Sequence, residues 1–171
     1  MEIHAITASD TEWVGRLWTE YWGSAYILAH GQVFIPSMVT GFSAWEGENL
    51  IGLVTMVIRE DACEIITIDS FKRQGGVGSA LLAAVAGEAR RKGCKRLFLM
   101  TTNDNLNALG FYQKRGFRLC GLHAGAIDAC RKQKPQIPLV GENDIPIHDE
   151  LELEFNLSGR LDVEPEGEDF E

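Results

Sequence analysis

Arg73-Gln74-Gly75-Gly76-Val77-Gly78 joins a stretch that reads as a strand to one that reads as a helix. Upstream, Cys63 to Asp69 is rich in β-branched residues, the composition of a strand. Downstream, Ser79 to Lys92 carries Leu81, Leu82, Val85 and Ala89 at helical spacing, and Gly93 ends it. Arg90, Arg91 and Lys92 fill the last turn, where positive charge complements the helix dipole. The turn therefore presents bare backbone N–H groups at a helix N-terminus, with glycines that let an anion approach closely. It reads as a phosphate cradle, with an ordinary strand-to-helix turn as the plain alternative.

Two familiar phosphate sites fail on the residues. A nucleoside-triphosphate loop needs Lys-Ser or Lys-Thr after its last glycine, to serve the phosphates and magnesium. Here Ser79-Ala80 follows Gly78, so the lysine is missing. A dinucleotide fingerprint needs a third glycine for tight helix–strand packing and an acid about 20 residues on for the ribose. Leu81 occupies the third-glycine position, and Lys95-Arg96-Leu97-Phe98 offers no acid.

A second cluster, Asn105 to Phe117, follows another strand-like run from Arg96 to Thr101. It reads as a short helix stopped by Gly116 and leading into a strand from Phe117 to Leu122. Asn105, Ala108 and Tyr112 stand at spacings of three and four, so they are expected on one helical face. An amide, a small residue and a phenol on one face suit a long polar cofactor tail.

Together the clusters resemble the GNAT superfamily of acetyl-CoA-dependent N-acetyltransferases. Arg73, Gly76 and Gly78 match its donor motif, and Asn105, Ala108, Phe111, Tyr112, Gly116 and Phe117 match its second motif. The resemblance is strong from about Leu50 to Leu122 and looser outside that span. It implies an α/β fold of mixed α+β type, with a mostly antiparallel central sheet of about seven strands flanked by helices. It also implies a cleft where the strand before the glycine turn diverges from its neighbour.

By that resemblance, backbone groups near Ile66 and Ile68 hydrogen-bond the pantetheine arm of acetyl-CoA. Main-chain N–H groups of Gln74, Gly75, Gly76, Val77, Gly78 and Ser79 bind the pyrophosphate, with Arg73 assisting by charge, and Asn105 and Ala108 contact the cofactor. Tyr112 is the implied acid at the departing sulfur. An acceptor ammonium must also lose a proton before attack. Glu64, two residues before Ile66, is the candidate base, set against a solvent-facing strand acid; Asp69 and Asp104 are lesser candidates. The expected reaction is direct transfer to a primary amine, of a small molecule or a protein, in a ternary complex. The alternatives are an acyl-CoA-binding module without catalysis and, less well supported, a nucleotide site. A homodimer is a further expectation from the family.

Composition agrees. The 171 residues are 45% hydrophobic, enough for one buried core and short for two domains. Neither a basic segment followed by an apolar run nor an apolar stretch of about 20 residues is present, so no signal peptide, no membrane span and a cytoplasmic location are expected. Cys63, Cys94, Cys120 and Cys130 form no ligand pair, and His4, His30, His123 and His148 are scattered, so reduced thiols and no metal are expected. The net charge is −9, but Asp162 to Glu171 holds six acids and no base, which leaves −3 for the rest. Residues 1–160 are thus expected as a single domain, with 161–171 an acidic, disordered tail. A near-neutral body disfavours nucleic acid as a partner.

The rest of the chain reads coarsely. Glu2 to Ile6 is a first strand, and Ser9-Asp10-Thr11-Glu12 a capping box opening a helix to about Trp22. Val14, Leu17, Trp18, Tyr21 and Ala25 are its expected buried stripe. Gly31 to Met38 is ambiguous, and His30 there is read as a surface or packing residue. Trp22 and Tyr26 are candidate walls of an acceptor site. Phe42–Trp45 and Leu50–Arg59 form a hairpin, Ala126–Gly141 a short helix and loop, and Glu150–Phe155 a final half-buried strand.

Overall fold

The computed structural model describes residues 1–72 and 75–159. The expected roles of Arg73 and Gln74, and the acidic tail at 161–171, lie outside the described residues.

Strand β1 (Glu2–Ala5) is followed by a 3₁₀ turn at Ala8–Asp10 and helix α1 (Thr11–Trp22). The capping box is made two residues earlier than expected, by Thr7 and Asp10, and opens the 3₁₀ turn ahead of the helix. Asp10, not Glu12, reaches back, its Oδ2 accepting the Thr7 N–H at 2.6 Å and the Thr7 hydroxyl at 2.8 Å. Asp10 Oδ1 also accepts the Trp13 indole N–H at 2.7 Å, which fixes the start of the helix. Helix α1 ends at Gly23 in the left-handed conformation, and its fully buried residues are Val14 and Trp18, with Leu17 partly buried beside them. Tyr21 is exposed, and Ala25 lies beyond the helix end.

A small hairpin follows, β2 (Ile27–Ala29) and β3 (Gln32–Phe34), so the ambiguous Gly31 to Met38 supplies its second strand and then a 3₁₀ turn at Pro36–Met38. Next come β4 (Thr40–Glu46), β5 (Asn49–Arg59) and β6 (Ala62–Ser70). Helix α2 (Val77–Arg91), β7 (Arg96–Thr102), α3 (Leu106–Gln113), β8 (Arg118–His123), α4 (Ala126–Arg131) and β9 (Glu150–Asn156) complete the chain.

Seven strands make one sheet in the order β1-β4-β5-β6-β7-β9-β8. Every neighbouring pair is antiparallel except β6–β7, which α2 connects as a parallel crossover. On one face α2 buries Val77, Leu81, Leu82, Val85 and Ala89 against Val54, Ile65, Leu97, Leu99 and Leu153. Each such side chain contributes roughly 1.5–3 kcal/mol when fully buried. On the other face Val14 and Trp18 of α1 pack with Ile27, Phe34, Leu53 and Ile66.

Two irregularities in β6 break the regularity of the sheet. Its pairing with β5 slips between Thr55↔Thr67 and Met56↔Ile65, so Ile66 is an extra, bulged residue. Ile65 and Ile68 consequently face α2, whereas Ile66 packs on the α1 side. Pairing with β7 runs only from Ala62↔Arg96 to Ile65↔Leu99. Beyond Ile65 the parallel strands part, leaving a cleft in the middle of the sheet. Among the described residues no helix is long and apolar enough to cross a membrane.

Candidate active site

The open end of the β6–β7 cleft leads to a cavity of about 290 Å³ on the α2 face. Ile68 of β6, Gly78 of α2, and Ala108, Phe111 and Tyr112 of α3 line it. Helix α2 points its N-terminus at this cavity. Gly76 at its N-cap is left-handed (φ 68°), which a glycine adopts without strain. The first intrahelical bond there runs from the Ala80 N–H to the Gly76 carbonyl. The N–H groups of Val77, Gly78 and Ser79 therefore precede the ladder and are available to an anion. A Cβ on Gly78 would stand 3.1 Å from the Phe111 ring, so glycine lets α2 and α3 close around the cavity.

The face that α3 turns to the cavity is Asn107, Ala108, Phe111 and Tyr112. Asn105 stands at the N-cap, and its side-chain oxygen accepts the Ala108 N–H at 3.0 Å. Sequence reasoning joined Asn105 to Ala108 and Tyr112, named Phe111 only as a motif match and left Asn107 out; the spacing of four between Asn107 and Phe111 was the available signal. Ser79 directs its hydroxyl away from solvent to the buried Arg115, accepting from Nη2 at 2.6 Å and Nε at 3.0 Å. Arg115 also donates to the Phe111 carbonyl at 2.9 Å and stacks over the Phe111 ring. The arginine thus braces the start of α2 against α3.

Tyr112 is 4% exposed and lines the cavity. Its hydroxyl makes no hydrogen bond among the described residues. Burial, and then the charge of Asp69, raises the phenol above its ordinary value, while Arg115 pulls the other way. The phenol therefore stays protonated at neutral pH and keeps an O–H to donate.

The other candidates separate. Asp104 is buried in the loop before α3, where its Oδ2 accepts the Glu142 N–H at 2.9 Å and anchors the 139–148 connection. Asp69, at the end of β6, receives the Trp22 indole N–H at 3.2 Å. Trp22 is thereby tied to the strand end, while Tyr26 lies under the Lys134 ammonium. Glu64 is not solvent-facing: it is 5% exposed, and its Oε1 meets His30 Nε2 at 2.6 Å. It sits on the α1 side, one residue before the last β6–β7 pair. Tyr112 and Glu64 accordingly flank the cleft from opposite faces of the sheet.

Burial pushes the Asp69 carboxyl up to about 6, against the opposing effect of the Trp22 hydrogen bond. An unfolded aspartate titrates near about 3.9. Between those values the folded chain binds more protons than the unfolded one, so stability falls as pH rises from about 4 to 6 and stays reduced above. Asp69→Asn should therefore raise Tm at pH 8 and lose that advantage at pH 4, in melts recorded across the range. A pH-independent shift would remove the burial cost as its cause.

The family model described as "Acetyltransferase (GNAT) family" matches residues 5–117. The uncharacterized protein YxbD of Bacillus subtilis (strain 168) is 41% identical over 141 residues, 82% of this chain and 89% of that protein. Among solved structures, a Bacillus subtilis acetyltransferase in complex with CoA superposes with a TM-score of 0.64 at 19% identity, covering 91% of this chain and 97% of the other. A GNAT family acetyltransferase from Elizabethkingia anophelis with acetyl-CoA bound gives 0.65 at 22% identity, with the same 91% and 97% coverage.

Proposed function

The chain belongs to the GNAT acetyltransferase family, and from that premise we propose that it transfers an acetyl group from acetyl-CoA to a primary amine within a ternary complex. The observation that carries the reading is the parting of β6 and β7 between two separate flanks. On one flank are the α2 N–H groups and Tyr112, and on the other Glu64 with His30. A donor entering from the α2 face can thus meet an acceptor arriving from the α1 face inside the cleft.

In this reading the pyrophosphate of acetyl-CoA lies on the N–H groups from Gly75 to Ser79, with Gln74 and Arg73 contributing, and the pantetheine arm runs along Ile66 and Ile68. Ala108 gives the arm room, and Asn105 holds the start of α3. The fold likeness to proteins that carry CoA or acetyl-CoA supports this donor. The amine attacks the thioester carbonyl, a C–N bond forms and the C–S bond breaks, leaving the electron pair on sulfur, which takes up the second proton shed by the new amide nitrogen. An alkyl thiol titrates near about 8.5, below the raised value of Tyr112. Full proton transfer from the phenol is therefore uphill, and Tyr112 acts by donating a hydrogen bond to the developing thiolate. Glu64 anchors proton removal on the acceptor flank.

The test is CoA thiol release from acetyl-CoA against separate pools of polyamines, aminoglycosides, amino acids and lysine peptides, beside a calorimetric titration of acetyl-CoA. Binding with amine-dependent release from a pool is the expected result. Binding without release from any pool would favour an acyl-CoA-binding module, and no binding would remove the donor site.

A further inference from the structure

A second cavity, of about 270 Å³, lies on the Glu64 flank between the β2–β3 hairpin tip, β8, α4 and β9. His30 and Gly31 form one wall, Glu150 and His123 another, and the small residues Ala126 and Ala129 of α4 leave the space. We infer that His30 is the group that takes the proton from the acceptor ammonium, with Glu64 as the positioning residue that holds its ring. This assignment rests on the amine-acetylation reading above and assigns the base within it.

Three features of the hairpin tip support it. His30 has φ 39° and Gly31 φ 76°, a two-residue turn whose first central position favours Asn, Asp or Gly. A histidine there stores backbone strain, which persists only where the surroundings hold it. Both polar ends of His30 are held: its backbone N–H donates to the Glu150 carboxylate at 3.0 and 3.2 Å, and Nε2 meets Glu64 at 2.6 Å. Both glutamates are buried, at 3% and 5% exposure, whereas the His30 side chain keeps 25% of its surface open. The titratable atom that an incoming amine can reach is therefore the imidazole and not the carboxylate behind it.

The chemistry balances. With Nε2–H donated to Glu64, the ring lone pair is on Nδ1, which accepts one ammonium proton. The resulting imidazolium is held by the Glu64 carboxylate, and the freed nitrogen lone pair makes the C–N bond. The hydrogen bond that His30 donates to Glu64 raises its pKa above the ordinary histidine value, and burial opposes it. That direction suits a base working near neutral pH. The other groups facing the cavity are Glu150, the Cys130 thiol, which burial raises, and His123, held at 3.0 Å by Glu152. On the outer side of the hairpin, Arg59 is tied to Gln32 at 2.9 Å.

Ethylamine and 2,2,2-trifluoroethylamine separate a base from a mere clamp, because the first is an ammonium at neutral pH and the second is not. His30→Asn is the primary variant, since asparagine tolerates the left-handed turn. His30→Gln is the second, and melts and acetyl-CoA titrations accompany both. For the ethylamine reaction, kcat/KM should fall about 100-fold in either variant. The trifluoroethylamine reaction should change less than about threefold, because no proton need be removed before attack. Glu64→Gln should move the ethylamine pH–rate midpoint downward, because the group that raises His30 is weakened. Equal losses on both amines, or an unmoved midpoint, would overturn the assignment. Wild-type turnover of trifluoroethylamine but not ethylamine would overturn it as well. Turnover of neither would overturn the transfer reading itself.

Discussion

Tyr112→Phe should lower kcat about 100-fold, or about 2.7 kcal/mol of transition-state stabilisation, while the Kd for acetyl-CoA stays within about twofold. The substitution removes one oxygen from a ring that is otherwise packed against Phe111 and Phe117. Because that hydroxyl has no hydrogen-bond partner among the described residues, its loss leaves no donor or acceptor orphaned. The melting temperature should accordingly hold or rise. The hydroxyl matters only when negative charge develops at sulfur, so the loss belongs in kcat and not in binding. Single-turnover rates with saturating acetyl-CoA check this directly. An unchanged rate would reduce Tyr112 to a packing residue, and a parallel loss of affinity would move its role to the ground state.

Gly52→Ala should be strongly damaging, costing about 3 kcal/mol and roughly 6–12 °C in Tm. A Cβ at Gly52 would stand 2.6 Å from Val77 Cγ1, 2.9 Å from the Asp69 carbonyl oxygen and 3.0 Å from Leu81 Cδ1. The carbonyl belongs to the paired backbone of β6 and cannot swing away. The relief must come from α2, which would lift off the sheet at its first turn. That turn carries the N–H groups assigned to the pyrophosphate, so acetyl-CoA affinity should fall with stability. Gly87→Ala provides the control of opposite sign in the same helix. Its Cβ would meet nothing within 4 Å, and replacing a helical glycine should gain about 0.5–1 kcal/mol. Thermal melts of the pair, with and without acetyl-CoA, test both. Equal shifts would mean that the sheet yields and the helix does not.

What the sequence made legible is what local chemistry determines. The left-handed Gly75 and Gly76 ahead of α2 and the buried stripe of that helix follow from backbone freedom and a 3.6-residue period within one stretch. The mostly antiparallel sheet was implied by the family resemblance and is found, whereas the one parallel pair, β6–β7, is read from the structure. The short hairpin escaped because each strand has three residues, too few for an alternation to register. Its His30-Gly31 turn also lacks the Asn-Gly or Asp-Gly signature. Glu64 was marked by position, but its partner is 34 residues away and Glu150 is 120 from His30. Such separations leave no periodic trace. Tyr21 fits the helical period and lies within α1, but it stands in the last turn, where its ring meets Phe71 and stays exposed, a long-range contact the period does not report. The slip at Ile66 is a property of the β5–β6 pair, and neither strand alone encodes it.

That extra residue makes β6 two strands with opposite parity. In an unbroken strand, an insertion or deletion exchanges the inner and outer sets along its whole length. Ile66 interrupts this inheritance: the arm holding Cys63 and Glu64 and the arm holding Ile68 and Asp69 are each registered against β5 separately. Substitutions that retune the acidic arm can therefore accumulate without reorienting the arm that borders the helix cavity. A lineage varying its acceptor while keeping its donor would find those two tasks already uncoupled within a single strand.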